Sequence, residues 1–274
     1  MSLTVNTNLS AMSAANSLNA TQGRLTLTLA RVSSGLRVTK AADDAAGSAV
    51  ASNLNTTARS GRQANRNAND GVSVIQTAES ATKEVLNILD RLRELSVQSA
   101  SDTLGNDERA YIQAETDQLV DEVDRIAESS EFNGIKLANG DNTTLTVQVG
   151  VDGSSDSQID ITLGDLGQST LGVQALILST SAGARLAIGT LDTAIDSVNN
   201  IRANYGSVQN RMESSIRNMS TYVESLSAAA SQIVDADYAH ETAEMSRLQV
   251  MQQAGVAALS QAKGINQSVL SLLG

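Results

Sequence analysis

Leu191, Val198, Tyr205, Met212, Met219, Leu226 and Ile233 stand seven residues apart without a break, and Ile188, Ile195, Arg202, Gln209, Ile216, Val223 and Ala230 fill the companion positions. A sustained seven-residue apolar repeat marks a long helix packed lengthwise against others. At ~1.5 Å per residue the series makes a rod of roughly 65 Å, and such a rod cannot bury its stripe alone. Two upstream segments supply partners. One runs from about Asp70 to Ser99, with Ile75, Thr82, Leu89 and Ser96 on its stripe and Ala78, Val85 and Leu92 between them. The other opens at Asn106, a capping residue, with Asp107 and Glu108 placing negative charge on the positive helix end. It carries Ile112, Leu119 and Ile126 and stops at the turn signal Phe132-Asn133-Gly134. The whole chain contains no proline, the residue that breaks helix interiors. Aromatics make up only 2%, so the core is built from slim aliphatic side chains.

The period changes over residues 144–163. Leu145, Val147, Val149 and Val151 alternate with polar residues or glycine, as do Ile159, Ile161 and Leu163, and Asp152-Gly153-Ser154-Ser155-Asp156-Ser157 joins them. This predicts a β-hairpin. Residues 164–182 are ambiguous. At the N-terminus, Ala11, Leu18, Leu25 and Val32 lie seven apart, each followed four residues later by Ala15, Gln22, Leu29 and Leu36. That is an a/d seam, imperfect at Gln22 and interrupted at Ser33-Ser34-Gly35. At the other end Met245, Leu248, Leu259, Val269 and Leu273 ride a stripe filled out by Ala258 and Ala262. The two ends are amphipathic and of similar length, so they are expected to pair as a two-helix coiled coil. Such Ala-rich seams hold little apolar surface and commonly order on binding another chain. The fold expected is mainly α: a long antiparallel helical bundle and coiled coil with a small β-hairpin. Its domains are discontinuous, residues 1–44 with 234–274 and residues 45–233.

Charge and residue types narrow the function. The net charge is −11, which argues against nucleic acid as the main partner. The first seventy residues are nonetheless basic, with Arg24, Arg31, Arg37, Lys40, Arg59, Arg62 and Arg66 against Asp43, Asp44 and Asp70. Cysteine is absent, which removes disulfides, thiolate metal sites and cysteine nucleophiles. His240 is the sole histidine, so classical triads and histidine-based metal sites are nearly excluded, and an ordinary helix-surface position is the better reading. Asp43-Asp44 reads as a turn or cap, Asp235 and Asp237 lack a third ligand, and the Asp152–Asp156 stretch lacks the terminal Glu of a calcium loop. No cofactor and no catalysis are expected. Residues 1–20 show neither a signal peptide nor a continuous apolar stretch, and no apolar run is long enough to span a membrane. By themselves these facts suggest a cytoplasmic protein.

Several segments together resemble bacterial flagellin. Val5-Asn6-Thr7-Asn8-Leu9-Ser10 is similar to the family's opening. Arg31-Val32-Ser33-Ser34-Gly35-Leu36-Arg37, followed by Ala42-Asp43-Asp44-Ala45-Ala46-Gly47, resembles its signature. Asn65–Gly71, Arg91–Gln98, Phe132-Asn133-Gly134, Gln148-Val149-Gly150, Gln209-Asn210-Arg211, Ile233–Tyr238, Gln252–Gly255 and Val269–Leu273 also match. The likeness covers about residues 1–150 and 183–274. It departs at Lys263-Gly264-Ile265-Asn266, where many members have Asn and Pro, and the short centre leaves no room for variable outer domains.

The resemblance implies a subunit that self-assembles into the flagellar filament for motility. In that reading the chain ends line the channel and the bundle with its hairpin forms the surrounding tube. It places Leu18, Leu25, Leu29, Val32, Leu36, Met245, Leu248, Leu259, Val269 and Leu273 in polymerisation. It implies export through the flagellar type III channel without a cleaved signal, hence an extracellular location. It also implies partners: further copies of the chain, an export chaperone, hook-associated and cap proteins, and host Toll-like receptor 5, met by Arg91, Leu95 and Glu115. Arg91 and Leu95 lie off the stripe of Leu89 and Ser96 and are expected at the surface. The alternatives are a hook–filament junction protein, which has similar ends, and a secreted enzyme on a flagellin scaffold.

Overall fold

The computed structural model describes residues 7–271, with side chains as far as Gly264. The helices are α1 (Leu9–Ser34), α2 (Ala45–Ser99), α3 (Asn106–Ser129), α4 (Ser181–Val234) and α5 (Tyr238–Ser271). Two small antiparallel pairs, β1 (Glu131–Phe132) with β2 (Ile135–Lys136) and β3 (Thr144–Gln148) with β4 (Gln158–Thr162), lie between α3 and α4. Contacts divide the chain into two compact units. The chain ends form one, and Thr57–Glu224 forms the other.

α2 begins at Ala45, far upstream of the Asp70 expected from periodicity. Ala58, Gly61, Ala64, Ala68 and Gly71 line its buried stripe there. Such residues carry almost no apolar signal, but they let α4 come close. A Cβ added at Gly61 would lie 2.6 Å from a Val223 methyl, and one at Gly71 would lie 2.9 Å from the Met212 methyl. The start of α2 is capped by Asp44, whose carboxylate accepts the Gly47 N–H at 2.8 Å. Asp43 closes the preceding turn by accepting from the Thr39 N–H, the Thr39 hydroxyl and the Lys40 N–H. These hydrogen bonds, the Thr39 hydroxyl's foremost, hold the Asp43 carboxyl below the ordinary carboxylate range. Both aspartates are thus turn and cap residues.

Within the unit Thr57–Glu224, α4 buries Leu191, Val198, Tyr205 and Met212, the first four members of the seven-residue series. Two apolar clusters cover them. The first joins Val85, Leu89, Leu92 and Leu95 of α2 to Ile112, Val120 and Val123 of α3 and to Leu191 and Val198 of α4. The second sets Val147, Val149, Ile159, Ile161 and Leu163 of the β3–β4 hairpin on Val74 and Ile75 of α2 and on Tyr205, Val208 and Met212 of α4. The hairpin obeys its alternation: Ile159 and Ile161 point inward, while Thr146 donates to Asp160 across the outer face at 2.7 Å. The Phe132-Asn133-Gly134 signal is itself a hairpin. Asn133 (φ 50°) and Gly134 (φ 79°) form the two-residue left-handed turn between β1 and β2.

Residues 163–180 form no helix or strand, yet they bury Leu166, Leu171, Val173, Leu176 and Leu178 in the first cluster. Gln113 of α3 holds this segment: its amide N–H donates to the Leu176 carbonyl at 2.9 Å, and its oxygen accepts the Leu178 and Ser179 N–H groups at 2.6 and 3.1 Å. Buried Arg109 closes the C-terminal end of α2 by donating to the Ser99 and Ser101 carbonyls at 3.0 and 2.8 Å. Neither role was legible in the residue pattern.

Tyr205 accepts the Gly164 N–H on its hydroxyl at 3.1 Å, and burial raises the phenol above its ordinary pKa. Tyr205→Phe is expected to leave that N–H without a partner and to cost about 1–2 kcal/mol in urea unfolding near neutral pH. The buried phenol ionises at higher pH than the unfolded one. Its contribution is therefore complete below the ordinary tyrosine range and declines as the pH rises through it. The gap between wild type and variant should shrink in alkali, and a gap that widened would contradict this assignment.

Candidate functional site

No cluster of three His, Cys, Asp or Glu side chains able to hold a metal exists among the described residues. His240 is exposed, and the Asp237 carboxylate accepts the N–H groups of Ala239 and His240 as the cap of α5. The two surfaces with functional character are the paired chain ends and the α2–α3 face around Arg91.

In the unit of the chain ends, α1 and α5 run antiparallel. Asn8 donates to the Ala262 carbonyl at 2.9 Å, Gln252 donates to Gln22 at 2.6 Å, and Arg31 pairs with Glu241 at 3.4 Å. Past Gly35, whose left-handed φ of 71° ends α1, Leu36 bridges to Asp235. The seam itself differs from the expected one. Ala11, Leu18, Leu25 and Val32 do face α5, but beside Leu18 and Leu25 the buried companions are Thr21 and Thr28, three residues on, rather than Gln22 and Leu29. Gln22 is therefore no defect in the seam; it sits on its flank with Gln252 as partner. Leu29 is 45% exposed and lies off the seam. On α5, Leu248 is buried and Met245 and Leu259 are half-buried. The side chain of Val269, and Leu273 entirely, lie outside the described residues.

This pairing leaves apolar groups uncovered. Leu9, Met12, Leu27 and Leu29 on α1, and Val250, Met251 and Val256 on α5, are all exposed. Such density on one two-helix unit exceeds the scattered apolar exposure of an ordinary surface.

On the α2–α3 face, the Arg91 guanidinium donates to Glu115 at 2.8 and 3.1 Å and to Glu94 at 3.1 Å. These carboxylates, Glu115 first, raise the guanidinium above its ordinary pKa. Arg93 reaches Asp192 of α4 at 2.6 Å. Leu95 corrects the expectation of a surface position. It is 2% exposed and belongs to the first apolar cluster, so the surface neighbours of Arg91 are Glu94 and Gln98 instead. Leu95 lies on the buried side because α2 packs on α3 and α4 together, which widens the inward face beyond the single Leu89–Ser96 stripe.

Residues 5–143 match the bacterial flagellin N-terminal helical region, and residues 188–273 match the bacterial flagellin C-terminal helical region. The chain is 38% identical to the flagellar filament 33 kDa core protein of Treponema phagedenis, over 98% of this chain and 99% of that protein. It is 38% identical, with the same coverage, to a flagellin of Halalkalibacterium halodurans. The chain belongs to the bacterial flagellin family. The crystal structure of Bacillus cereus flagellin is similar at 29% identity and a TM-score of 0.51, over 56% of this chain and 88% of that one.

As a flagellin, the chain is a structural subunit of the flagellar filament, outside the cell. No helix of the described residues is long and apolar enough to cross a membrane. The cytoplasmic location expected from the residue pattern is replaced by this extracellular one.

The corrected seam separates two roles in this flagellin. Leu25→Ala is expected to lower amide-exchange protection across α1 by about 2–4 kcal/mol, because Leu25 is 8% exposed and loses buried contacts. Leu29→Ala should change that protection by less than about 0.5 kcal/mol. Equal losses from the two variants would restore the original a/d register.

Proposed function

We propose that the α1–α5 unit is the element through which this flagellin polymerises. In this reading residues 1–44 and 234–274 form the filament core and residues 45–233 form the tube around it. The observation that carries the proposal is the uncovered apolar set Leu9, Met12, Leu27, Leu29, Val250, Met251 and Val256. Neighbouring copies cover it through a contact between different faces of each copy, whose rotation does not close a ring and so continues as an open helix. Leu18, Leu25, Val32, Leu36, Met245, Leu248 and Leu259 act indirectly, by holding α1 and α5 in the pair that presents these groups. The unit Thr57–Glu224 contains both large apolar clusters, and this supports its folding without the ends. The aspartates at 43, 44 and 237 serve as turn and helix caps. Deleting residues 1–44 or 234–274 should abolish elongation from filament seeds in electron micrographs while the remainder still unfolds cooperatively. Elongation of either truncated chain at the parent's rate would defeat the proposal.

The same reading includes an export chaperone that holds the C-terminal helix, the hook-associated and cap proteins at the filament ends, and Toll-like receptor 5 on the host side. Arg91 and Glu115 support a receptor contact at the α2–α3 face, being exposed, paired and pre-oriented. Leu95 contributes by anchoring that stretch of α2 from within. Arg91→Ala should weaken monomer binding to the receptor by roughly 30-fold, the effect of losing an interface arginine worth about 2 kcal/mol. A folded variant that activates receptor-bearing cells as well as the parent removes Arg91 from the contact.

A further inference from the structure

Arg59, Arg62 and Arg66 stand at i, i+3 and i+7 on α2 and are all exposed. Arg66 donates to the side-chain oxygen of Gln63 on its own helix (Nε–Oε1 3.1 Å), and Arg59 and Arg62 make no hydrogen bond or ion pair among the described residues. Arg91, Arg93, Arg125 and Arg185, by contrast, each reach a carboxylate. A second stripe has the opposite charge. Asp121, Asp124 and Glu128 occupy i, i+3 and i+7 on α3, and their carboxylates have no hydrogen-bond or ion-pair partner among the described residues. Each stripe is about 10 Å long, so the two match in length as well as in number of charges.

The stripes cannot meet within one copy. The Arg91–Glu115 pair sets the antiparallel register of α2 and α3 and brings Glu128 level with Ala78. Arg66 lies about 18 Å further along α2, and the centres of the two stripes are about 30 Å apart along the axis. Three like charges held on one helix face repel one another unless a complementary surface neutralises them.

We propose that the Arg59–Arg62–Arg66 stripe of one copy docks on the Asp121–Asp124–Glu128 stripe of a neighbouring copy, displaced lengthwise by about 30 Å. This rests on the assembly reading above and adds a second contact, outside the chain ends, that selects how neighbours are displaced. Unlike the apolar contact of the ends, it weakens as salt screens the charges.

The test is seeded elongation of full-length chain at low and high salt. One variant carries Arg59→Glu, Arg62→Glu and Arg66→Glu, a second carries Asp121→Lys, Asp124→Lys and Glu128→Lys, and a third carries all six. Each single-stripe reversal is expected to slow elongation at low salt at least ~10-fold, and the six-fold variant is expected to recover to within ~3-fold of the parent. Helical content and cooperative unfolding confirm the fold, and Gln substitutions of the same arginines give a milder loss in case a reversal fails to fold. Folded single-stripe variants that grow like the parent overturn the pairing and leave the arginine stripe to an anionic partner other than this chain. A six-fold variant no better than the single-stripe ones also overturns it. A parent that does not elongate sinks the assembly reading itself, a result distinct from both.

Discussion

A helix as long as α4 carries an apolar stripe that no single neighbour of ordinary length can cover, so the covering has to change along its course. In the unit Thr57–Glu224 three different solutions follow one another. Around Leu191 and Val198 the cover is the second half of α2, all of α3 and the irregular segment after the hairpin. Around Tyr205 and Met212 it is the β3–β4 hairpin with Val74 and Ile75 of α2. Around Val223 it is α2, brought in close by Gly61. The hairpin and the irregular segment are therefore part of the core, in places where a further helix could have lain.

Polar side chains make the irregular cover possible. A buried segment without helix or sheet exposes backbone groups that need partners. Gln113 supplies three hydrogen bonds to residues 176–179, Tyr205 accepts the Gly164 N–H, and Arg109 satisfies carbonyls at the end of α2. Each of these side chains reaches from a rigid helix, so the segment inherits its position from α3 and α4. Leu166, Leu171, Val173, Leu176 and Leu178 can then pack as a helix face would, with only local turns between them.

The unit of the chain ends is built on the opposite principle. Its seam is narrow, with threonine at two of its positions, and much of its apolar surface faces outward. A filament subunit profits from that division. The unit Thr57–Glu224 encloses two apolar clusters within one copy, whereas the ends leave apolar side chains uncovered; in the proposed assembly neighbours bury them, which contributes stability that the single copy lacks. The charged stripes on α2 and α3 follow the same logic with a different interaction, one that depends on salt and on relative displacement.

Much of this was written in the residue pattern. The seven-residue series located α4 and its register, and the alternation at 144–163 located the hairpin. Those features are local: side-chain period and turn preference act within a few residues. The start of α2 was hidden because alanine and glycine mark a close approach to another backbone, which only the neighbour reveals. The side of α1 that meets α5 was a choice between Thr28 and Leu29, and hydrophobicity favoured the wrong one. Packing settled it, because the helix turns its narrow side to α5 and leaves Leu29 outside. Leu95 went inward for a related reason, since α2 meets two helices there and buries a wider arc than one stripe. Sequence by itself determined where α3, α4, the second half of α2 and the hairpin are, and that the two chain ends belong together. Which faces are buried and which stay open for other copies was decided by tertiary packing, because burial depends on how near the neighbouring backbone comes.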